Sequence, residues 1–263
     1  MAQLKFLEVL DQKGVNVTGV AGTSMGAVLG AMYASGCSST EIQKDLERYL
    51  IFRKDKKKNF LAKVPSLMAW LRMLSLDPRR HGVLKAEDFL KKLIQDLEIK
   101  TFEDLEIPLT VVATDYWTGE EVPYTSGPLM QPLLASCAIP GVFPPVEHDG
   151  RVLVDGSLSN CVPFSYIMDG KSVSIAIDVA PELVPAENPV PKFIEASQGM
   201  FEILIDKLSR LQFERMRPDI HVRPGIRDVA ILDFDKVESV YDQATFVLPD
   251  FEENCARHGL LDS

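Results

Sequence analysis

Ser24 is the residue in this sequence whose surroundings most clearly indicate chemistry. It lies at the centre of GTSMG, residues 22–26, which has the pattern G-x-S-x-G, between an apolar stretch and a stretch of small residues within residues 17–36. In a nucleophile elbow, a tight strand-to-helix turn holds a serine in a strained, exposed position. The pattern therefore predicts a nucleophilic Ser24, and the alternative is a glycine-rich turn with an incidental serine.

The two glycines that flank the serine have predicted steric roles. A side chain at Gly22 or Gly26 is expected to collide with the neighbouring strand or helix where the chain doubles back. Ala27, Gly30 and Ala31 give the following helix a thin face that packs closely. The start of that helix directs free N–H groups and the positive end of its dipole toward negative charge beside Ser24.

A serine hydroxyl needs a base to take its proton before it becomes a good nucleophile. The four histidines, at positions 81, 148, 221 and 258, lie in contexts more typical of surface or core residues. Asp155 ends an apolar run and precedes Gly156, so its carboxylate can project from a sheet edge toward the elbow. Asp155 is the predicted base, and the alternative is an ordinary turn or cap aspartate.

Composition limits the class of protein. The 263 residues are 46% hydrophobic, which is ample for the core of one domain over residues 1–263, and the net charge of −10 argues against nucleic-acid binding. The four cysteines have no C-x-x-C spacing, so we expect buried apolar fillers and no metal or other cofactor. No apolar run reaches the ~18 residues of a spanning helix, so a cytoplasmic protein is expected, either soluble or peripheral to a membrane.

Residues 53–80 are the exception to the acidic composition. This basic segment has nine Lys or Arg and two Asp, a local charge of +7, interleaved with apolar residues that include Trp70. One interpretation is a membrane-facing segment or lid, because anionic headgroups attract Lys and Arg while apolar side chains enter the interface. The other is a solvated charge run followed by a core helix.

The remaining pattern alternates strands with helices. An amphipathic helix spans residues 4–10, helices follow from residue 38 and over 85–97, 131–138 and 192–211, and a terminal helix begins near 237. Strands are predicted at 107–114, 122–125, 173–179 and 220–223, with a hairpin over 146–154 that turns at Asp149 and Gly150. This order predicts a three-layer α/β/α sandwich with a mostly parallel central sheet.

Four motifs, in order and spacing, resemble the patatin-like phospholipase family, in particular its bacterial cytoplasmic branch and the catalytic domain of neuropathy target esterase. They are GTSMG at 22–26, TDYWTGE at 114–120, ASCAIPGVFPPV at 135–146 and DGS at 155–157. The resemblance covers roughly residues 2–180. It implies hydrolysis of phospholipid or lysophospholipid acyl esters by a Ser-Asp dyad without histidine, carried onto Ser24 and Asp155.

Two departures from the family pattern bear on activity. The family has an N-terminal strand and a G-G-G-x-R-G loop that supplies oxyanion donors, whereas this sequence begins at the helix that follows them and contains neither. Of the usual donors the Met25 N–H remains, and loss of one donor typically costs ~10²–10³ in rate. A weak or inactive homologue that binds lipid or a protein partner is therefore the alternative. The second departure is Ser157, where glycine or alanine is common.

Overall fold

A computed structural model describes residues 1–54, 99–141, 143–180, 182, 190–191, 193–227, 229 and 236–261. The predicted helix at 85–97 and most of the basic segment lie outside these residues. The helices are α1 Gln3–Gln12, α2 Met25–Ala34, α3 Ser39–Lys54, α4 Met130–Ser136, α5 Phe193–Arg215, α6 Val237–Thr245 and α7 Leu248–Arg257. The strands are β1 Val20–Thr23, β2 Leu109–Asp115, β3 Glu121–Tyr124, β4 Val146–His148, β5 Arg151–Asp155, β6 Ile175–Ile177 and β7 Ile220–Val222.

The described strands form two sheets. The five-stranded sheet has the order β1-β2-β5-β4, with β3 also paired to β2, and β6 pairs with β7 in a second sheet. β2 is buried along its whole length, as its uninterrupted apolar sequence predicts, and it is parallel to β1. It is antiparallel to β3 and β5, so it is the common neighbour of three strands.

Helices cover the sheets and form two main apolar clusters. In one, α2, α3 and α4 pack against β2 through buried residues that include Leu29, Ile42 and Leu133. In the other, α1 packs against α7 and β7, and the rings of Phe6 and Phe251 meet edge to face at 5.2 Å. The α/β/α arrangement predicted from the sequence is confirmed.

The prediction of a mostly parallel sheet is wrong for the described strands. β1–β2 and β6–β7 are parallel, whereas β2–β3, β2–β5 and β4–β5 are antiparallel. The reason is that short turns connect β2 to β3 and β4 to β5, and a short turn can join only antiparallel neighbours. The hairpin turn itself is confirmed, since Asp149 and Gly150 both have positive φ, 49° and 72°, as a type I′ turn requires.

Three further predictions about elements have clear outcomes. The N-terminal amphipathic helix is confirmed as α1, which buries Leu4, Phe6, Val9 and Leu10. The terminal helix is two helices, because α6 ends at Thr245 and Pro249 begins the first turn of α7. The four cysteines are free thiols, but only Cys137 and Cys255 are buried; Cys37 and Cys161 are half-buried, so the prediction of four buried fillers is wrong for those two. Among the helices that the structure describes, none is long and apolar enough to cross a membrane.

Candidate active site

Ser24 lies at the sharp turn between β1 and α2. Its backbone φ is 54° and its ψ is −129°, a conformation that side-chain-bearing residues rarely adopt. Such a conformation costs on the order of 1–3 kcal/mol and persists only where the surrounding structure enforces it. The predicted strand–serine–helix geometry is therefore present, with Ser24 as the N-cap residue of α2.

The two glycines of the elbow differ in their surroundings. A Cβ atom on Gly22 would lie 2.5 Å from the carbonyl oxygen of Gly26 and 2.6 Å from the nitrogen of Ala27, so only glycine fits. A Cβ atom on Gly26 would meet nothing closer than the Gln3 side chain, at 3.9 Å. The predicted collision is confirmed for Gly22 and is wrong for Gly26.

β2 brings Asp155 to the elbow. In the parallel ladder Thr23, the last residue of β1, is opposite Val112, and in the antiparallel ladder Asp155, the last residue of β5, is opposite Ala113. β3 occupies the other edge of β2 at both Val112 and Ala113, so β1 and β5 share one edge of this strand and their ends meet there. Consecutive residues of a strand are about 3.3 Å apart, so residues 24 and 155 emerge close together beside the middle of β2.

Gly156 allows this approach. A Cβ atom at this position would lie 2.1 Å from the carbonyl oxygen of Val112 and 3.0 Å from Cγ2 of Thr23. No side chain is compatible with so short a distance to a buried strand. The glycine after the aspartate therefore lets the chain pass close beside β2 at Val112, next to the end of β1.

The Asp155 side chain is buried, with 1% of its surface exposed, and its two oxygens differ. Oδ1 accepts two hydrogen bonds from Ser157, from the backbone N–H at 2.9 Å and from the hydroxyl at 2.6 Å. Oδ2 has no hydrogen-bond partner among the described residues. The main chain of Asp155 is fixed as well, because its N–H donates to Ala138 O at 3.0 Å and its carbonyl accepts from Thr114 Oγ1 at 2.9 Å.

Burial raises the pKa of the Asp155 carboxyl, because removal from water disfavours the charged form. The two donors of Ser157, and after them the Ser24 hydroxyl, act in the opposite direction. Burial, and then the charge of Asp155, also raises the pKa of the Cys137 thiol, which lies beside Ser24. A carboxylate of raised basicity, with one free oxygen close to a serine hydroxyl, is suited to accept that proton.

Two residues of this site were not singled out from the sequence. Ser136, at the end of α4, accepts a hydrogen bond from the Ser24 backbone N–H at 2.8 Å and donates to Val112 O at 2.7 Å. Asn160 accepts from Thr23 Oγ1 through its carbonyl oxygen at 2.8 Å. Ser136 falls within the ASCAIPGVFPPV motif, which was the available signal, whereas nothing in the sequence pattern distinguishes Asn160.

The contacts found for the three described histidines are with residues other than Ser24 and Asp155. His148, on β4, lies 3.5 Å from Asp149, and His221, on β7, stacks on Phe213 with ring centroids 3.7 Å apart. His258 lines the cavity described below, and its Nδ1 lies 2.8 Å from the carbonyl oxygen of Asn254. His81 lies outside the described residues. Among those residues, no group of three or more His, Cys, Asp or Glu side chains is placed to hold a metal ion.

A cavity of about 1160 Å³ opens beside the candidate pair. Both Ser24 and Asp155 line it, and its walls come from β1 and β6 and from the helices α1, α2 and α5. Apolar side chains contribute to these walls, among them Leu29, Phe164 and Ile205. A cavity of this size and polarity can accommodate a long apolar group with its polar end at Ser24.

Comparison with known proteins places these features in context. The family model of patatin-like phospholipase matches residues 1–168. An uncharacterised NTE family protein of Mycobacterium tuberculosis is 30% identical over 213 residues, which cover 77% of this chain and 54% of that protein. Lysophospholipase NTE1 of Saccharomyces cerevisiae is 23% identical over 266 residues, covering 92% of this chain and 15% of that protein.

Among solved structures, VipD from Legionella pneumophila matches with a TM-score of 0.48 and 15% sequence identity, covering 95% of this chain and 64% of that one. The chain spans about half the length of the mycobacterial relative and a much smaller part of the yeast enzyme.

Proposed function

Because this chain belongs to the patatin-like phospholipase family, we propose that it is a serine acyl hydrolase that cleaves carboxylic esters of phospholipids or lysophospholipids. Ser24 is the nucleophile and Asp155 is the base. The observation that carries the proposal is that the strained Ser24 and the buried Asp155, whose Oδ2 has no hydrogen-bond partner among the described residues, line one cavity. The yeast relative is named a lysophospholipase, which is consistent with this substrate class.

The proposed reaction has two stages. Ser24 Oγ attacks the ester carbonyl carbon while its proton passes to Oδ2 of Asp155, and the tetrahedral intermediate collapses as the leaving alkoxide takes that proton. Water then attacks the acyl-enzyme with Asp155 again as base, which releases the fatty acid and regenerates Ser24. The raised pKa of Asp155 supports this role, because a more basic carboxylate accepts the hydroxyl proton more readily.

The start of α2 stabilises the negative charge that forms on the substrate oxygen. Met25 is the first residue of α2, and the first N–H groups of a helix have no partner within that helix. The Met25 N–H, aided by the positive end of the helix dipole, is therefore the proposed oxyanion donor.

We also propose peripheral contact with a membrane. The turn that follows β2 has an exposed aromatic pair, Tyr116 and Trp117, which are 54% and 77% exposed with ring centroids 4.9 Å apart. This turn directly follows β2, the strand that β1 and β5 both contact, and aromatic rings of this kind suit a membrane–water interface. The basic segment at 53–80, with its sequence charge of +7, is the proposed electrostatic contact with anionic headgroups.

Labelling with a fluorophosphonate, which reacts covalently with activated serines, tests the nucleophile directly. Wild type should be labelled on the peptide that contains Ser24, and Ser24→Ala should abolish labelling. Ser35→Ala, a half-buried serine just after α2 whose hydroxyl bonds Met32 O, is the matched control and should be labelled normally. Labelling that persists in Ser24→Ala would contradict the assignment.

Histidine variants test the dyad against a triad. Asp155→Asn should reduce lysophospholipid hydrolysis about as severely as Ser24→Ala, because the two residues act as one unit. His258→Ala, His148→Ala and His221→Ala should retain most activity. His258→Ala is the most demanding of the three, since this histidine lines the same cavity. A comparable loss in any folded histidine variant would mean that the base is histidine.

A further inference from the structure

Ser157 makes the shortest described hydrogen bond to Asp155. Its hydroxyl donates to Oδ1 at 2.6 Å and its backbone N–H donates to the same oxygen at 2.9 Å. Its side chain is buried, with 6% of its surface exposed. Both donors reach one oxygen of the carboxylate, whereas the other oxygen is buried and has no hydrogen-bond partner within the part of the chain that the structure describes.

We infer that Ser157 is a positioning residue, whose hydroxyl fixes the rotation of the Asp155 carboxylate so that Oδ2 faces Ser24. This inference rests on the proposed function. The main chain of Asp155 is already held by Ala138 and Thr114, so rotation of the side chain is the freedom that remains. A glycine or alanine at this position would keep the backbone donor and lose the hydroxyl.

The hydroxyl has a second effect on the base. Hydrogen bonds to an ionised carboxylate favour the charged form, so Ser157 opposes the burial that raises the pKa of Asp155. Among the described residues, the titratable groups that respond to the charge of Asp155 include two thiols. Burial and then Asp155 raise the pKa of Cys137, and burial, then Asp178 and then Asp155 raise that of Cys161. Neither thiol carries a charge near neutral pH, and the Ser157 hydroxyl is the largest of the influences that lower the pKa of Asp155.

The pH profile of kcat/KM for a soluble short-chain ester tests the inference. Because activity requires ionised Asp155, Ser157→Ala should move the acidic limb up by about one pH unit, the equivalent of one hydrogen bond to a charged group. The plateau above that limb should fall about fivefold, as expected for a less well oriented base. Ser157→Gly should behave like Ser157→Ala, and Ser157→Thr, which keeps a hydroxyl, should restore much of the wild-type profile.

Ser209→Ala is the matched control. Ser209 is a fully buried serine that donates to a fully buried aspartate, Asp178, at 2.8 Å, and it has no role in the proposed dyad. Its removal should lower stability to a similar extent and leave the acidic limb unchanged. If Ser157→Thr does not fold, the other variants decide the test. The acidic limb should then move by the same amount in Ser157→Ala and Ser157→Gly and stay in place in Ser209→Ala.

An infrared titration separates this inference from the proposed function. The carboxyl band of Asp155, assigned by its loss in Asp155→Asn, reports the pKa of this group without any turnover. An upward shift of that titration in Ser157→Ala supports the positioning role even in a protein without esterase activity. An unchanged titration and an unchanged acidic limb would overturn it.

Discussion

The backbone N–H of Ser24 donates a hydrogen bond to the hydroxyl of Ser136 at 2.8 Å. That hydroxyl donates in turn to the carbonyl oxygen of Val112 at 2.7 Å, so one fully buried side chain joins the elbow, α4 and β2. The strained backbone at Ser24 needs such external support, because nothing local to a serine favours a φ of 54°.

Ser136→Ala should therefore affect both stability and reactivity. The substitution leaves the Ser24 N–H without its acceptor, which costs about 1–3 kcal/mol for a buried donor. We expect a loss of stability of this size in urea denaturation, together with slower fluorophosphonate labelling of Ser24. Ser35→Ala, which removes a half-buried bond to Met32 O, should cost less and leave labelling unchanged. Normal labelling of a folded Ser136→Ala variant would show that the elbow does not depend on this contact.

Gly22 and Gly26 provide a paired test of the elbow. Gly22→Ala places a methyl group 2.5 Å from the Gly26 carbonyl oxygen, so the backbone must shift, with an expected cost above about 3 kcal/mol and loss of labelling. Gly26→Ala meets only the Gln3 side chain at 3.9 Å. Because alanine favours a helix over glycine, Gly26→Ala should preserve stability or raise it by up to about 1 kcal/mol.

Thermal unfolding and labelling of these two variants are the measurements. If both substitutions lower stability and labelling equally, Gly26 must also be sterically restricted, although no described residue lies close enough to restrict it.

The difference between these glycines illustrates what the sequence could and could not predict. The elbow, β2 and the hairpin at Asp149 follow from local signals, because apolar runs and turn residues act over a few neighbours. The collision at Gly22 also has a local cause. Gly26, by contrast, depends on how far α1 lies from α2, which is a tertiary distance that no pattern encodes.

The base shows a second limit of sequence reasoning. A cap aspartate and a catalytic base were alternatives for Asp155, but the geometry supports both roles at once. Oδ1 accepts the Ser157 N–H as an N-cap does, while Oδ2 remains available to Ser24. Because one carboxylate has two oxygens, a structural role for one does not exclude a chemical role for the other. The prediction of strand direction was wrong for a different reason. The alternation of strands and helices along the sequence does not indicate which strands pair as hairpins.

Asp155→Asn should make the protein more stable at neutral pH. Burial raises the pKa of Asp155 above its value in the unfolded chain, so native stability is full at low pH and declines as pH rises through that native pKa. The asparagine variant lacks this decline. The stability difference in favour of Asp155→Asn should therefore be small near pH 4 and widen toward pH 8, as urea denaturation at several pH values can measure.

Asp178→Asn is the contrasting variant. Asp178 is fully buried, but it accepts from Ser209 and lies 3.3 Å from the guanidinium of Arg223. Removal of the Asp178 charge takes a counter-ion from the Arg223 guanidinium. This should destabilise the protein at neutral pH, because breaking a buried ion pair is costly. A stabilised Asp178→Asn together with a destabilised Asp155→Asn would contradict the assignment of Asp155 as the buried group without a counter-ion.

The exposed aromatic turn permits a spectroscopic test of membrane contact. The chain has two tryptophans, Trp70 in the basic segment and Trp117 in the turn after β2. In Trp70→Phe, fluorescence reports Trp117 alone, and in Trp117→Phe it reports Trp70 alone. We expect a blue shift of Trp117 emission on addition of anionic vesicles, because the indole leaves water for the interface. Unchanged Trp117 emission under conditions in which the protein co-sediments with vesicles would exclude this turn from the contact.

Charge reversal in the basic segment tests the electrostatic part of that contact. The segment at 53–80 carries +7 in a chain of −10, so an anionic bilayer should attract this part of the chain and repel the remainder. Each Lys near such a surface contributes about 1 kcal/mol, and salt weakens the contribution by shortening the Debye length. Replacement of Lys56, Lys57 and Lys58 by glutamate should remove most co-sedimentation with anionic vesicles at low salt and leave hydrolysis of a soluble short-chain ester unchanged. Equal binding to neutral and anionic vesicles, or no effect of the triple change, would identify the segment as a solvated charge run.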